Sequence, residues 1–135
     1  GLSLSYAFSD EETQAGTDTS GDNTVISASY AYGPVTVSYS QMDHDEGLST
    51  GANDVEITSY ALSYTVSDEL SVTYGSETSD KGNATTDLEV DGLKVSYTTG
   101  GMTISANSMS IENGNYGTGN EEDVDYWKLG ASFAF

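Results

Sequence analysis

The chain has 135 residues, with 22 Asp and Glu against 3 Lys and Arg, a formal net charge of −19 and no cysteine. This balance excludes nucleic acid and anionic inner-leaflet surfaces as electrostatic partners, and the missing thiols exclude disulfides, thiolate metal sites and cysteine nucleophiles. No apolar run approaches the roughly 20 residues of a membrane helix, although a chain whose two faces alternate residue by residue passes that hydropathy test unseen.

Residues 1–135 read as a single β-domain or a fragment of one. The opening Gly1-Leu2-Ser3-Leu4-Ser5-Tyr6 already alternates like a strand and lacks the form of a secretory leader, so a removed leader or a fragment is expected. Leu2, Leu4, Tyr6 and Phe8 form the first apolar row, and Ile26, Ala28, Tyr30 and Tyr32 the second. Val35, Val37 and Tyr39 give a third strand, Tyr60, Leu62, Tyr64 and Val66 a fourth, and Leu70, Val72 and Tyr74 a fifth. Leu93, Val95 and Tyr97 mark the sixth, Met102, Ile104 and Ala106 the seventh, and Trp127, Leu129, Ala131, Phe133 and Phe135 the eighth. Between the apolar positions stand small residues such as Ser3, Ser27, Ser38, Ser63, Thr73, Ser96 and Ser105, so one face is greasy and the other small and polar.

The connections alternate in length. Gly33-Pro34, Ser67-Asp68-Glu69 and Thr99-Gly100-Gly101 have the chemistry of tight hairpins. Between them lie long acidic stretches, Ser9–Asp22, Asp43–Asn53, Glu77–Thr86 and Glu112–Asp123. Ser29-Tyr30, Ser63-Tyr64 and Ser96-Tyr97 each precede a short turn; only this placement recurs, which suits a meander rather than a solenoid. Short turns at one rim and long polar loops at the other are how outer-membrane barrels are built. The expected fold is therefore all-β, an antiparallel transmembrane β-barrel meander with eight strands in this chain.

In that register Lys94, Ser96, Tyr126 and Lys128 face inward as pore-lining residues, and the two lysines either shape the field felt by solutes or pair with lumen carboxylates. Leu88 and Val90 have the opposite parity from Leu93, Val95 and Tyr97, so a bulge at Asp91-Gly92 is expected to turn Glu89 and Asp91 inward beside Lys94, the alternative being that the membrane band ends at Leu93. Asp43-His44-Asp45-Glu46 reads as a solvated loop rather than an ion site, with weak Ca²⁺ or Mg²⁺ association over the acidic loops and no other cofactor. Asn113–Asn120 has the glycines of a phosphate cradle without the helix that a cradle needs. With one His, no Cys and no carboxylate pair of fixed spacing, an enzyme is not expected. The loop carboxylates are expected to gather cations at the mouth and give a mild cation preference.

The stretch Asp125-Tyr126-Trp127-Lys128-Leu129-Gly130-Ala131-Ser132-Phe133-Ala134-Phe135 resembles the closing strand of bacterial outer-membrane barrels, with Phe135, Phe133 and Leu129 at the positions of their assembly signal. Together with the hairpins Tyr64–Gly75 and Lys94–Ser105, the whole chain is similar to the C-terminal half of an alphaproteobacterial general diffusion porin. The resemblance implies a sixteen-stranded barrel of which this is half, a homotrimer, and a water-filled channel for passive diffusion of small hydrophilic solutes and ions. It also implies contact with outer-membrane lipid and lipopolysaccharide, delivery by the barrel-assembly machinery, long loops outside the cell and termini in the periplasm. The rival expectation is a complete eight-stranded barrel with a structural or adhesive role. An eight-stranded interior is just wide enough to be filled by side chains, and small inward residues suit a wide channel better.

Overall fold

The computed structural model describes residues 1–12, 20–47, 53–118 and 123–134. These form one eight-stranded sheet in which each strand pairs antiparallel with the next in chain order. The strands are β1 (Leu2–Glu12), β2 (Ser20–Tyr32), β3 (Val35–Asp45), β4 (Val55–Thr65), β5 (Leu70–Lys81), β6 (Leu88–Thr99), β7 (Met102–Glu112) and β8 (Val124–Phe133). A 3-10 turn, Gly114–Tyr116, precedes β8. Val66 lies in the turn after β4 rather than in the strand, and Phe135 lies outside the described residues.

Turn chemistry sets the hairpins. Gly33 has φ 56, and Gly100 and Gly101 have φ 55 and 81, left-handed values that suit glycine because it has no Cβ to clash. Tyr32 pairs with Val35 and Thr99 with Met102, so both hairpins close in two residues. The β4–β5 turn relies on a side chain instead: the Ser67 hydroxyl oxygen accepts the backbone N–H groups of Glu69 and Leu70 at 3.3 and 3.2 Å.

No apolar side chain is buried among the described residues. The apolar face is open, with Leu4 71% and Trp127 78% exposed and Leu2, Tyr6, Phe8, Leu62, Leu129 and Phe133 also exposed. A soluble protein rarely leaves such a continuous apolar surface uncovered, because transfer out of water stabilises apolar area by about 25 cal/mol per Å². A second apolar layer or a lipid phase must cover this face.

The ladder runs without a bulge through all seven interfaces, which overturns one expectation. Across β5 and β6, Gly75 pairs with Gly92, Ser76 with Asp91, Glu77 with Val90 and Thr78 with Glu89 in unbroken succession. Glu89 and Asp91 therefore stand on the same face as Leu93, Val95 and Tyr97, opposite Lys94, and the Tyr74 hydroxyl donates to Asp91 Oδ1 at 2.6 Å on that face. The parity change of the sequence is real, but it marks where the two faces exchange character rather than where the backbone slips.

The exchange occurs on almost every strand. Moving away from the short turns, the apolar face gives way to carboxylates: Asp10 after Phe8 on β1, Asp43 beyond Tyr39 on β3, Asp91 after Leu93 on β6 and Asp125 after Trp127 on β8. The small-residue face meanwhile acquires Val25, Met42, Ile57, Val90, Met109 and Ile111. Because alternation persists with its sides reversed, strand pairing continues into segments that composition marks as loops. β1 reaches Glu12, β3 reaches Asp45 and β5 reaches Lys81, so the acidic connections are shorter than the sequence suggests. Carboxylates then oppose each other directly, as in Asp10, Asp22 and Asp45 across β1–β3 and Asp43, Glu56 and Asp80 across β3–β5. Such pairs destabilise a sheet unless water and counter-ions screen them.

The boundary between apolar and acidic positions is oblique to the rows of paired residues. It follows Phe8 on β1 and Trp127 on β8, yet the row of Trp127 runs back through Ser108, Leu93, Tyr74, Leu62, Val37 and Tyr30 to Leu2. This stagger, about one residue per strand, is of the kind that tilts barrel strands by roughly 35–45°.

Candidate functional site

The small-residue face is the one with chemistry to offer. Near the short turns it is a field of hydroxyls joined across strands: Ser5 with Ser27 at 2.6 Å, Ser63 with Thr73 at 3.0 Å and Thr98 with Thr103 at 2.9 Å. Short hydroxyl side chains satisfy one another here and keep the surface wettable.

One row on this face carries charge. It runs Ala31, Thr36, Ser63, Thr73, Lys94, Asn107, Lys128, so the two lysines flank an asparagine on adjacent strands. Two strand spacings of about 4.8 Å set their backbones roughly 10 Å apart. Beside the row, Gly75 faces Gly92 across β5 and β6, which leaves a shallow depression bounded by Thr73, Lys94, Asn107 and Lys128. Among the described residues neither the Lys94 nor the Lys128 ammonium has a hydrogen-bond or ion-pair partner.

Ser96 and Tyr126 share this face with the lysines, and the Tyr126 hydroxyl donates to Met109 Sδ at 3.0 Å. Glu89 and Asp91 do not share it, for the reason of register given above. Leu129 and Phe133 lie on the apolar face, 65% and 60% exposed, while the expectation for Phe135 falls outside the described residues. The Asp43-His44-Asp45 stretch is strand rather than loop. Alternation sends His44 to the face opposite Asp43 and Asp45, and its Nδ1 lies 2.6 Å from Asn23 Oδ1, so these three side chains cannot converge on one ion.

Three features were not anticipated. Asn107 completes the row between the lysines. Lys81, the third basic residue, is on the same face and sits 5.9 Å from the centroid of the Tyr116 ring. The Tyr116 hydroxyl is 2.9 Å from Ser79 Oγ, and Thr86 Oγ1 donates to the Gly117 carbonyl at 3.3 Å, so the connection after β7 folds over the far end of this face. Charge is thereby sorted by side. All three lysines and His44 stand on the small-residue face, where Glu77 is the one strand carboxylate among the described side chains and accepts from Ser59 Oγ at 2.8 Å. Asp10, Asp22, Asp43, Asp45, Glu56, Asp80, Glu89, Asp91, Glu112 and Asp125 are on the other.

A single sheet with one greasy face and one hydroxyl-rich face invites comparison with known barrels. A solved porin structure superposes on 98% of this chain with a TM-score of 0.74, at 20% sequence identity. The chain has a porin-like fold. It spans 47% of that porin, about half its length. No protein-family model matches the chain, and no curated protein matches it in sequence. In a membrane-spanning β-barrel the apolar side of the wall meets lipid and the polar side of a channel meets water.

Proposed function

We propose that this chain is part of the wall of an outer-membrane porin of the general diffusion type, a passive channel for small hydrophilic solutes and ions that carries out no catalysis. The observation that carries the reading is the absence of any buried apolar core among the described residues, joined to a continuous apolar face on one side and hydroxyls on the other. Lipid covers the first and water wets the second. A sheet in hydrocarbon cannot leave its edge strands unpaired, and β1 and β8 do not pair with each other. Further strands are therefore part of the proposal, sixteen in all, in a homotrimer. The small side chains of the inner face favour this over a closed eight-stranded barrel, whose interior they would not fill.

In this reading the short turns are periplasmic, the acidic connections are extracellular beside lipopolysaccharide, and weak Ca²⁺ or Mg²⁺ association collects at the acidic rim. Phe135, Phe133 and Leu129 serve the barrel-assembly machinery. The test is conductance: the full-length protein reconstituted in planar bilayers should give discrete ohmic steps. A folded, inserted protein with no conductance would overturn the reading in favour of a plugged or structural barrel.

A further inference from the structure

The net charge of −19 suggests a channel that prefers cations throughout. The sorting of charge across the sheet points elsewhere. We propose that Lys94, Asn107 and Lys128 form an anion-binding station on the channel wall, suited to small organic anions that carry two or more carboxylates; this rests on the channel reading above.

Four observations support it. First, the pairing of β6, β7 and β8 places the three residues in one row, with an amide donor between two ammonium groups. Lysine is a compact charge on a flexible stem with three donors. Two such groups with backbones roughly 10 Å apart can converge on one small polyanion or hold its two ends. Second, neither ammonium is neutralised within the described structure. The carboxylates nearest in sequence, Glu89, Asp91 and Asp125, project from the opposite side of the sheet, and Glu77 lies further along β5 and is engaged by Ser59. Third, the facing glycines Gly75 and Gly92 keep the wall bare beside Lys94, so a ligand can settle against the strands rather than meet only the tips of side chains. Fourth, the surrounding residues Thr73, Ser96 and Ser105 add hydroxyl donors in the same and the next row. Among the described residues no acidic side chain interrupts this patch. The acidic side of the sheet contributes little inside the channel, because the wall separates it from the lumen and salt screens charge beyond about 8 Å under physiological conditions.

The test uses the full-length protein in planar bilayers, with citrate as the probe against a chloride background. Citrate should reduce the chloride current at millimolar concentration. Its apparent affinity should fall by about tenfold or more in the double variant Lys94→Gln/Lys128→Gln, as expected when charge-assisted contacts are lost. The reversal potential in a KCl gradient should shift toward cation preference in the same variant. Gly92→Leu keeps both charges and fills the depression, so it should weaken citrate block while the chloride–potassium preference holds. Asp91→Asn, on the outer side, should change neither quantity. Intact unitary conductance in each variant shows that the barrel has folded. Citrate block and reversal potential both unchanged in the double variant would overturn the station while the channel reading stands. A wild-type protein that inserts without conducting would overturn both.

Discussion

At the scale of single residues, two neighbours on β4 separate the faces most cleanly. Leu62 stands in the apolar row between Val37 and Tyr74, and Ser63 in the hydroxyl row between Thr36 and Thr73. Leu62→Arg should destabilise the folded barrel by about 2–4 kcal/mol if it meets the bilayer near mid-depth, whereas Ser63→Arg adds a solvated charge and should stay within about 0.5 kcal/mol. Urea unfolding in lipid vesicles measures both, and equal costs would mean that the faces are wrongly assigned. The same residues show what could be read from sequence. Period-two alternation identifies Leu62 as apolar-facing and Lys94, Lys128, Ser96 and Tyr126 as its opposites without any structure. Asn107 was also within reach, because a two-residue turn at Gly100-Gly101 dictates that position 94 lies opposite 107. What no local signal supplies is Lys128 opposite Asn107, since that register crosses the long connection between β7 and β8, whose length does not fix pairing.

At the scale of elements, strand existence, order and short turns follow from alternation and turn chemistry, whereas strand ends do not. Segments rich in Asp and Glu have low strand propensity in isolation, so composition ends β1, β3 and β5 too early. Here the tertiary ladder outweighs propensity: β3 and β5 are already aligned with β2 and β4 by the tight turns at Gly33-Pro34 and Ser67-Asp68-Glu69, so extending their pairing closes no further loop. The bulge expected at Asp91-Gly92 fails for a related reason. It assumed that outward positions stay apolar along the whole strand, whereas the strands outrun the apolar band and reverse their amphipathicity beyond it. Paramagnetic labels distinguish the two arrangements, and the cysteine-free chain allows single cysteines to be placed freely. A label at Val95 should report lipid and one at Ser96 water. At the far end, labels at Val90 and Asp91 should report the inner and outer sides respectively. A label at Asp91 quenched from within the channel would restore the bulge.

At the scale of the whole molecule, net charge is a poor guide to what a solute meets, because a sheet one layer thick presents two separate electrostatic surfaces. The chain can be strongly acidic as a polymer and locally basic as a wall. Cation enrichment by the acidic outer connections should act at the mouth alone and fade as salt rises, which reversal potentials over a range of KCl concentrations would follow. The oblique line along which apolar residues give way to Asp and Glu has a mechanical meaning too. It is a waterline. The sheet can ride in a bilayer only as deep as that line permits, since each further row submerged would carry carboxylates such as Asp91 and Asp125 into hydrocarbon, where every one opposes insertion. A shallower position strands Leu4, Trp127 and their neighbours in water. Immersion depth is thus specified on both sides, and the protein should insert fastest into bilayers whose hydrocarbon matches its apolar band. Folding yields across lecithins of increasing acyl length should pass through a maximum, and replacing Asp91 and Asp125 together by Leu should move that maximum toward thicker membranes.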